Sequence, residues 1–534
     1  MRRGQSISLP HKKRIIVCTV GLLLMFAALI VRLYYIQIVQ YDKFAQLKAK
    51  QYVCTRDIEP KRGFIYDRNG KELAISVDVD SVYADPYAFK CKNDKNKDDE
   101  KKQEDTAGKF SAILGISQAE LIAKFQSDSS FVWIARRVNE EIARQIKEFN
   151  ITGIGFIKEG KRFYPDGKLA NQVIGMAGLD NRGLSGIEFY CDKYIKGEKG
   201  LFVGGRDALG RTILKDNQVE VDTPEGNDVF LTIDKFIQYI AERELDKTCQ
   251  KYKARAGTII VQDTVTGELL ALANWPTFDA TDINGTDIAL LRCRAVTDIY
   301  EPGSTFKVIT AAAALEEGIV RVNDKFFCEN GVYKLSGYPI RDHEKEGWLT
   351  FQEIIEKSSN IGVAKVSKNL GEDRLYAYAS NFGFGKLTGI QLPGEVRGIL
   401  RPTKDWSKTS LPRIAFGQEV GVTPVQLITA ISAVANKGVL MKPYLIKTIK
   451  DKKGAVIEEF KPEIRSRVIS EKTAATLNEI LKGVVKNGTG QPAAIDGFTV
   501  AGKTGTAQKI DPALRAYSPD QYVASFVGYL PADE

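Results

Sequence analysis

The chain has 534 residues, which is too long for one compact core and predicts two or three domains. Its composition is that of an ordinary globular protein, and the formal net charge of +9 is the one global feature that suggests nucleic-acid binding. Five of these charges lie in the first 14 residues, before any acidic residue, and no basic stripe interleaved with aromatic residues follows, so the sequence argues against nucleic acid as a partner. The five are Arg2, Arg3, Lys12, Lys13 and Arg14.

An apolar run follows these charges and predicts a membrane anchor. Residues 15–31 contain one polar side chain, Thr19, and as a helix they span about 26 Å, close to the hydrocarbon thickness of a bilayer. A cleaved signal peptide is the alternative, but the run is long for one and bulky residues occupy the place of a small-x-small cleavage site. We therefore expect a cytoplasmic tail at 1–14, an uncleaved anchor at 15–37 and everything beyond it outside the bacterial cytoplasmic membrane.

The cysteines give no indication of a metal site. There are seven, none in a C-x-x-C pair, and the chain has only two histidines, so we predict no zinc site and no cofactor. Disulfides outside the membrane and small buried hydrophobes both remain open interpretations. The cysteines are Cys18, Cys54, Cys91, Cys191, Cys249, Cys293 and Cys328.

Residues 38–222 read as a mixed α+β region without a catalytic cluster. An Asn69-Gly70 turn between the apolar segments 64–66 and 73–75 predicts a hairpin. The mixed charge run Asp94 to Asp105 is typical of a solvated loop. Helical apolar spacing follows at 119–125 and 139–149.

A second domain, 223–534, begins at a linker-like segment, 223–227. Residues 229–233 predict a strand, and Asp234 is placed to cap a helix behind it. The apolar segments 258–261 and 269–273 then predict a second hairpin. We expect antiparallel strands packed with helices in this domain.

Ser304 is the only serine in the chain with a lysine three positions later, Lys307. It follows Pro302-Gly303 and precedes an alanine-rich periodic segment, so we expect it at the N-terminus of a helix. Residues three apart share a helix face, which puts the lysine amine within reach of the serine hydroxyl. The lysine can serve as a base only if its pKa is lowered, as burial and a neighbouring positive charge would do.

Two further motifs follow in the order of an active-serine acyl transferase. Ser358 and Asn360 form S-x-N, in which the hydroxyl can relay a proton and the amide can orient a substrate or Lys307. Ser367 to Asn369 also fits S-x-N, and spacing alone does not choose between them.

Lys503, Thr504, Gly505 and Thr506 form K-T-G-T, and 498–500 predict a strand that enters this motif. The lysine can supply the positive charge beside Lys307 and bind a substrate carboxylate, and the threonines add hydroxyl donors. The same stretch matches the P-loop pattern G-x-x-x-x-G-K-T. A P-loop, however, needs a strand before its first glycine and a helix from its lysine, and neither is indicated here.

With these motifs the chain resembles the class B penicillin-binding proteins, and the segment 358–362 resembles their division-type variant, which favours Ser358 over Ser367. The resemblance implies an α+β fold with an anchor, an elongated non-catalytic pedestal of the dimerisation type, and a transpeptidase domain like that of β-lactamases. Relatives continue with a strand and a helix, so we expect the sequence given to be truncated. The matching segments are 62–63, 67–70, 162–165, 183–188, 301–304, 416–418, 423–424 and 524–528.

The resemblance also implies a chemistry. Ser304 would attack the D-Ala-D-Ala amide of a peptidoglycan stem peptide, with Lys307 as base, Ser358 as relay and the backbone N–H groups of Ser304 and Thr506 as oxyanion hole. β-Lactams would acylate the same serine, and the expected membrane partner is a lipid-II glycosyltransferase of the division machinery. A β-lactam sensor or hydrolase and a silent division scaffold are the alternatives. The E-x-x-L-N element of class A β-lactamases is missing from the sequence, which favours transpeptidation.

Overall fold

The computed structural model describes residues 9–45, 53–86, 97–129, 131–151, 153–206, 212–213, 219–220, 224–281, 285–335, 338–511 and 516–533. Arg2, Arg3 and Cys91 lie outside these residues, as does the predicted domain border at 222 and 223. Five cysteines are free thiols, and four of them are buried, as small hydrophobes would be: Cys191, Cys249, Cys293 and Cys328.

The described α-helices are numbered in chain order. They are α1 Leu9–Tyr34, α2 Lys97–Leu114, α3 Gln118–Phe125, α4 Glu140–Glu148, α5 Asn171–Ile174, α6 Gly186–Tyr190, α7 Asp192–Ile195, α8 Lys235–Lys251, α9 Arg294–Thr297, α10 Lys307–Glu316, α11 Phe351–Glu356, α12 Asn360–Leu370, α13 Glu372–Asn381, α14 Ser410–Ala415, α15 Pro424–Ala435 and α16 Glu471–Lys486. The structure also has a π-helix at Tyr35–Val39, a short helix at 41–45 and short 3₁₀ turns at Ile288–Leu290, Gly303–Phe306, Glu329–Gly331, Thr403–Asp405 and Gln491–Ala493.

The strands are numbered in the same way. They are β1 Val53–Ile58, β2 Ile65–Tyr66, β3 Glu72–Ala84, β4 Val132–Ala135, β5 Ile154–Phe163, β6 Gly200–Arg206, β7 Thr212–Ile213, β8 Val219–Glu220, β9 Asp228–Leu231, β10 Gly257–Gln262, β11 Leu269–Trp275, β12 Lys325–Phe327, β13 Val332–Leu335, β14 Tyr338–Arg341, β15 Trp348–Thr350, β16 Val439–Met441, β17 Ile446–Lys450, β18 Val456–Glu459, β19 Ile464–Arg467, β20 Ala501–Asp511 and β21 Ala516–Tyr529.

These elements form two compact units, and neither is a continuous stretch of chain. The first unit lies within residues 1–60, 78–161 and 198–224, and the second comprises 61–77, 162–197 and 225–534. Two pieces of the sequence before residue 222 therefore pack with the C-terminal part of the chain.

The apolar run near the N-terminus is helical, as predicted. Helix α1 and the π-helix behind it include a stretch, Lys13–Val39, that is long and apolar enough to cross a membrane, and none of it is buried in the protein.

The prediction of a solvated loop at 94–105 is wrong from residue 97 onward, where α2 begins; 94–96 lie outside the described part of the chain. Gln103, Thr106, Ala107 and Phe110 are buried on one side of this helix. These buried positions are three and four residues apart, which is the spacing of one helix face. The segment is nevertheless mostly charged, so its composition alone suggests a solvated loop. The helices predicted at 119–125 and 139–149 are confirmed as α3 and α4.

In the second unit, segments distant in sequence meet at one buried carboxylate. The side chain of Glu188 is 0% exposed and accepts from Arg62 Nε at 2.9 Å and from Arg162 Nε at 2.5 Å. Arg62 also pairs with Asp192 at 2.7 Å, and Arg162 donates to the carbonyl of Gly63 at 2.6 Å. Buried charges persist only when paired and hydrogen-bonded, so this cluster locks 61–63 and 162 onto helices α6 and α7.

The predicted hairpins are confirmed. Strand β2 pairs antiparallel with β3 across the Asn69-Gly70 turn and parallel with β9, and β10 pairs antiparallel with β11. Asp234 caps α8 by accepting from the backbone N–H groups of Phe236 and Ile237. The strand predicted at 229–233 is β9, which begins and ends slightly earlier.

The largest core of the second unit surrounds helix α10. Every residue of this helix from Lys307 to Ala314 is buried, and helices α12, α13, α15 and α16 contribute apolar side chains around it. Strands β20 and β21 add Ala501, Val527 and Tyr529 to the same core. The helix that follows the candidate nucleophile is therefore the centre of the α+β domain and is fixed on all sides.

We predict that Glu188→Gln destabilises the chain by about 3–5 kcal/mol, because it leaves two buried guanidinium groups without their shared counter-charge. The midpoint of thermal or denaturant unfolding of the purified chain measures this loss. Glu459→Gln is the matched control: Glu459 forms an exposed pair with Lys461, worth about 0–1 kcal/mol. Equal shifts in the two variants would contradict the prediction.

Candidate active site

Ser304 lies in the 3₁₀ turn Gly303–Phe306 that leads directly into α10, so the prediction of a helix N-terminus is confirmed. Gly303 has φ +55°, and its N–H donates to the carbonyl of Gly417 at 3.0 Å. A Cβ at Gly303 would lie 2.9 Å from the carbonyl oxygen of Thr506. Only glycine combines this backbone conformation with this approach, and it brings the serine against strand β20.

Lys307 is completely buried one helical turn further on. Its Nζ donates to the carbonyl of Ser358 at 2.5 Å and to the Ser358 hydroxyl at 3.2 Å. Burial, together with the nearby charge of Lys503, holds the pKa of Lys307 well below its ordinary value, while the Asp342 carboxylate acts in the opposite direction. Within the part of the chain that the structure describes, Ser304 Oγ and Lys307 Nζ are not hydrogen-bonded to each other. Catalytic hydrogen bonds are commonly longer before substrate binds.

The structure brings Ser358, and not Ser367, to the lysine. Ser358 has φ +61°, just before Ser359 caps helix α12, and this left-handed turn directs both its carbonyl and its hydroxyl to Lys307. Ser367 is buried inside α12, and its hydroxyl donates to the carbonyl of Ala364. Asn360 donates through Nδ2 to the carbonyl of Arg341 at 2.9 Å.

Asp342 is a functional residue that the sequence reasoning missed. One carboxylate oxygen accepts from the N–H groups of Asn360 at 2.6 Å and Ile361 at 3.0 Å, and the other accepts from Ser359 Oγ at 2.5 Å. A carboxylate at the N-terminus of α12 satisfies free N–H groups and interacts favourably with the helix dipole. Asp342 therefore holds the S-x-N turn in place. Only the folded chain brings it there, and no sequence pattern marks it.

The K-T-G motif lies on β20, which pairs antiparallel with β21. The strand begins at Ala501, so the prediction of a strand at 498–500 is displaced by a few residues. Lys503 is within this strand, not at the start of a helix, which agrees with rejecting the P-loop interpretation. Its side chain is 1% exposed, and burial lowers the pKa of Lys503 to about 7.

The remaining residues of this motif lie beside the serine turn. A Cβ at Gly505 would lie 2.5 Å from Ser525 Oγ and 2.9 Å from Thr305 Cγ2, so only glycine lets β20 lie this close to Ser304. The Thr504 hydroxyl is hydrogen-bonded to that of Thr489 at 2.7 Å, and Thr506 is exposed. The Thr506 hydroxyl is therefore available to a substrate, and the Thr504 hydroxyl can donate to one when it accepts from Thr489.

Glu301 supports the loop on the other side of the serine. Its carboxylate accepts from the N–H of Glu419 at 2.8 Å and from Tyr517 Oη at 3.2 Å. Burial raises the pKa of Glu301. Glu419 and Gly417 belong to one loop, and Gly417 contacts Gly303. The hydrogen bond between Glu301 and Glu419 therefore helps to fix the turn that carries Ser304.

We predict that Asp342→Asn lowers stability by about 1–3 kcal/mol, because an amide cannot accept all three hydrogen bonds and carries no charge for the helix dipole. The unfolding midpoint of the purified variant measures the loss. Asp496→Asn, at an exposed position, is the control and should leave the midpoint unchanged. A wild-type midpoint for Asp342→Asn would contradict the role assigned to this carboxylate.

Comparisons with known proteins identify the family of the chain. Residues 257–534 match the family model of the penicillin binding protein transpeptidase domain, and residues 57–231 match that of the penicillin-binding protein dimerisation domain. Stage V sporulation protein D of Bacillus subtilis is 34% identical over 98% of this chain and 80% of its own length. Peptidoglycan D,D-transpeptidase FtsI of Escherichia coli is 31% identical over 96% of this chain and 84% of its own.

A solved structure is similar over most of the chain. Penicillin binding protein 3 from Mycobacterium tuberculosis, complexed with aztreonam, is 27% identical, has a TM-score of 0.69, and is matched over 90% of this chain and 88% of its own. The fold, the two family models and the relatives lead to one conclusion: this chain belongs to the class B penicillin-binding proteins, with a dimerisation domain followed by a transpeptidase domain.

Proposed function

We propose that this chain is a membrane-anchored D,D-transpeptidase that cross-links peptidoglycan stem peptides through a serine acyl-enzyme. The observation that carries the proposal is the contact of the buried Lys307 amine with Ser358, one helical turn after Ser304. Lowering the pKa of a lysine raises the neutral fraction of its amine above that of an exposed lysine at the same pH, and only the neutral amine can accept a proton. Membership of the family and the D,D-transpeptidase relative support the same reaction.

In the first step Ser304 Oγ bonds to the carbonyl carbon of the penultimate D-Ala while its proton passes to Lys307 Nζ. The N–H groups of Ser304 and Thr506 stabilise the negative charge on the carbonyl oxygen. The bond to the terminal D-Ala nitrogen then breaks, and that nitrogen receives a proton from Lys307 through the Ser358 hydroxyl. An acyl-enzyme and free D-Ala result.

In the second step the amine of a neighbouring stem peptide attacks the same carbonyl carbon. It loses a proton by the reverse route, Ser304 regains its hydrogen, and the new amide is the cross-link. Lys503 and the hydroxyls of Thr504 and Thr506 are the groups we assign to the substrate's terminal carboxylate, and Gly505 lets the strand approach. A β-lactam acylates Ser304 in the same way and remains attached.

The same proposal covers location and partners. We place the N-terminus in the cytoplasm and the residues after the anchor outside the membrane, with a pedestal at 38–222 and the transpeptidase domain at 223–534. The resemblance of 358–362 to the division type supports use in septal wall synthesis beside a lipid-II glycosyltransferase.

We predict covalent labelling of the purified chain by a fluorescent penicillin and no labelling of Ser304→Ala. Ser358→Ala should slow labelling by about 10²–10⁴-fold, because it removes the proton relay. Ser367→Ala is its matched control and should label at the wild-type rate, since the Ser367 hydroxyl bonds only within α12.

Equal labelling of wild type and Ser304→Ala would overturn the nucleophile assignment. Rapid loss of label, with turnover of a chromogenic cephalosporin, would favour a hydrolase instead. A Ser304→Ala allele that fully supports growth in a depletion strain would favour a scaffold.

We predict that the labelling rate rises with pH through the pKa of Lys307, because only the neutral amine accepts the serine proton. Lys503→Gln removes the neighbouring positive charge that lowers this pKa. The pKa of Lys307 then rises, and the ascending limb of the rate moves to higher pH.

Labelling rates measured between about pH 5 and 9 give the pH at which the rate rises, and this pH does not depend on the maximal rate of the variant. Lys486→Gln, at an exposed lysine near the end of α16, is the control and should leave the limb in place. A limb that stays fixed or moves to lower pH in Lys503→Gln would contradict the assignment of Lys307 as the base.

A further inference from the structure

A cavity of about 310 Å³ lies beside the S-x-N motif, and we call it the arginine cavity. It is lined by residues next to the segments that hold the serine turn. Phe416 and Gln418 are the chain neighbours of Gly417, whose carbonyl accepts from the N–H of Gly303 at 3.0 Å, and Gln508 follows Thr506 by two positions on β20. Its polar and aromatic lining residues include Arg341, Asn360, Arg413, Phe416, Gln418 and Gln508.

The charge in the arginine cavity is positive. Its lining contains two arginines and, among the residues the structure describes, no acidic side chain. Arg413 is partly neutralised by Glu419 at 3.2 Å, a carboxylate that Arg401 and Ser410 also contact. The exposed side chain of Arg341 makes no hydrogen bond or ion pair with any described residue. A guanidinium group in a cleft without a counter-charge suits a carboxylate, which it can bind through two parallel hydrogen bonds.

Arg341 is also held in place relative to the reaction centre. Its carbonyl accepts from Asn360 Nδ2 at 2.9 Å, and the next residue, Asp342, is bonded to the N-terminus of α12. The backbone from which the guanidinium extends is therefore tied to the motif that contacts Lys307. This support keeps the guanidinium group within reach of that motif, although its side chain is ordered only when a ligand binds.

We propose that the arginine cavity is a carboxylate subsite for the stem peptide, with Arg341 as its principal ligand; this rests on the proposed transpeptidase function. The terminal carboxylate of the peptide is already assigned to Lys503, so the subsite takes a second one. Stem peptides offer two: the α-carboxylate of a γ-linked D-glutamate at the second position, and the side-chain carboxylate of a third residue of the diaminopimelate type. Arg341 thereby becomes a specificity-determining residue that distinguishes acidic stem peptides from amidated or lysine-containing ones.

The test uses the full chain in detergent and four synthetic pentapeptides. They carry diaminopimelate or lysine at the third position, each combined with D-glutamate or D-isoglutamine at the second. The measurement is the peptide concentration that halves the rate of labelling by fluorescent penicillin. We expect an acidic peptide to protect at about ten- to a hundredfold lower concentration than its counterpart without that carboxylate, as one charge-assisted interaction implies.

The ratio of interest is the half-protecting concentration of the peptide without the carboxylate divided by that of the acidic peptide. Arg341→Gln should reduce this ratio to about one, and Arg341→Lys should restore part of it. The ratio cancels any general effect of the substitution on labelling. Arg374→Gln, at an exposed arginine on α13 paired with Glu317, is the control and should keep the wild-type ratio. A preference at the third position assigns the carboxylate to diaminopimelate, and one at the second assigns it to D-glutamate.

Equal protection by all four peptides, or a preference that survives Arg341→Gln, overturns the subsite. Both outcomes differ from failure of the proposed function, in which the wild-type chain would not be labelled by penicillin at all.

Discussion

The burial of the Lys307 amine is the constraint on which the site depends. A charged ammonium group in this position would lose its hydration, so the surroundings favour the neutral form and make a base of a residue that is ordinarily an acid. The carbonyl and hydroxyl of Ser358 satisfy its hydrogen-bonding capacity without supplying a full counter-charge. The left-handed turn at Ser358 and the carboxylate of Asp342 behind it keep these two groups in place.

The second constraint is how closely three backbone segments approach one another. Gly303, Gly417 and Gly505 occupy the contacts between the serine turn, the loop at 416–418 and strand β20, and a side chain at any of them would collide with its neighbours. At Gly303 and Gly417 the nearest neighbours are backbone atoms, so the geometry there tolerates little adjustment. The positions of the Ser304 hydroxyl and of the Thr506 N–H are thus set relative to one another before any substrate arrives.

Much of this arrangement could be predicted from sequence, because the motifs carry their own local geometry. The helix start at Ser304, the Asn69-Gly70 turn and the cap at Asp234 are all short-range signals, and the structure has each of them. Helix α2 escaped prediction because its buried positions are spread among charges. Asp342 escaped because it reaches the S-x-N turn only through packing of the loop after β14 against α12, a relation that chain spacing does not encode.

The cluster around Glu188 has a consequence for how this protein can be divided. Strand β2 lies beside β9, and apolar side chains such as Ile65, Val173 and Ile174 belong to the same core as Leu269 and Phe278. A gene fragment that begins near residue 225 would carry every residue assigned to the chemistry and still lack part of its own core and the strand beside β9. In a hybrid of two relatives joined there, each partner would have to supply side chains that fit the other's interior. The part of the chain that must be exchanged as one piece is therefore longer than the segment that carries the catalytic motifs.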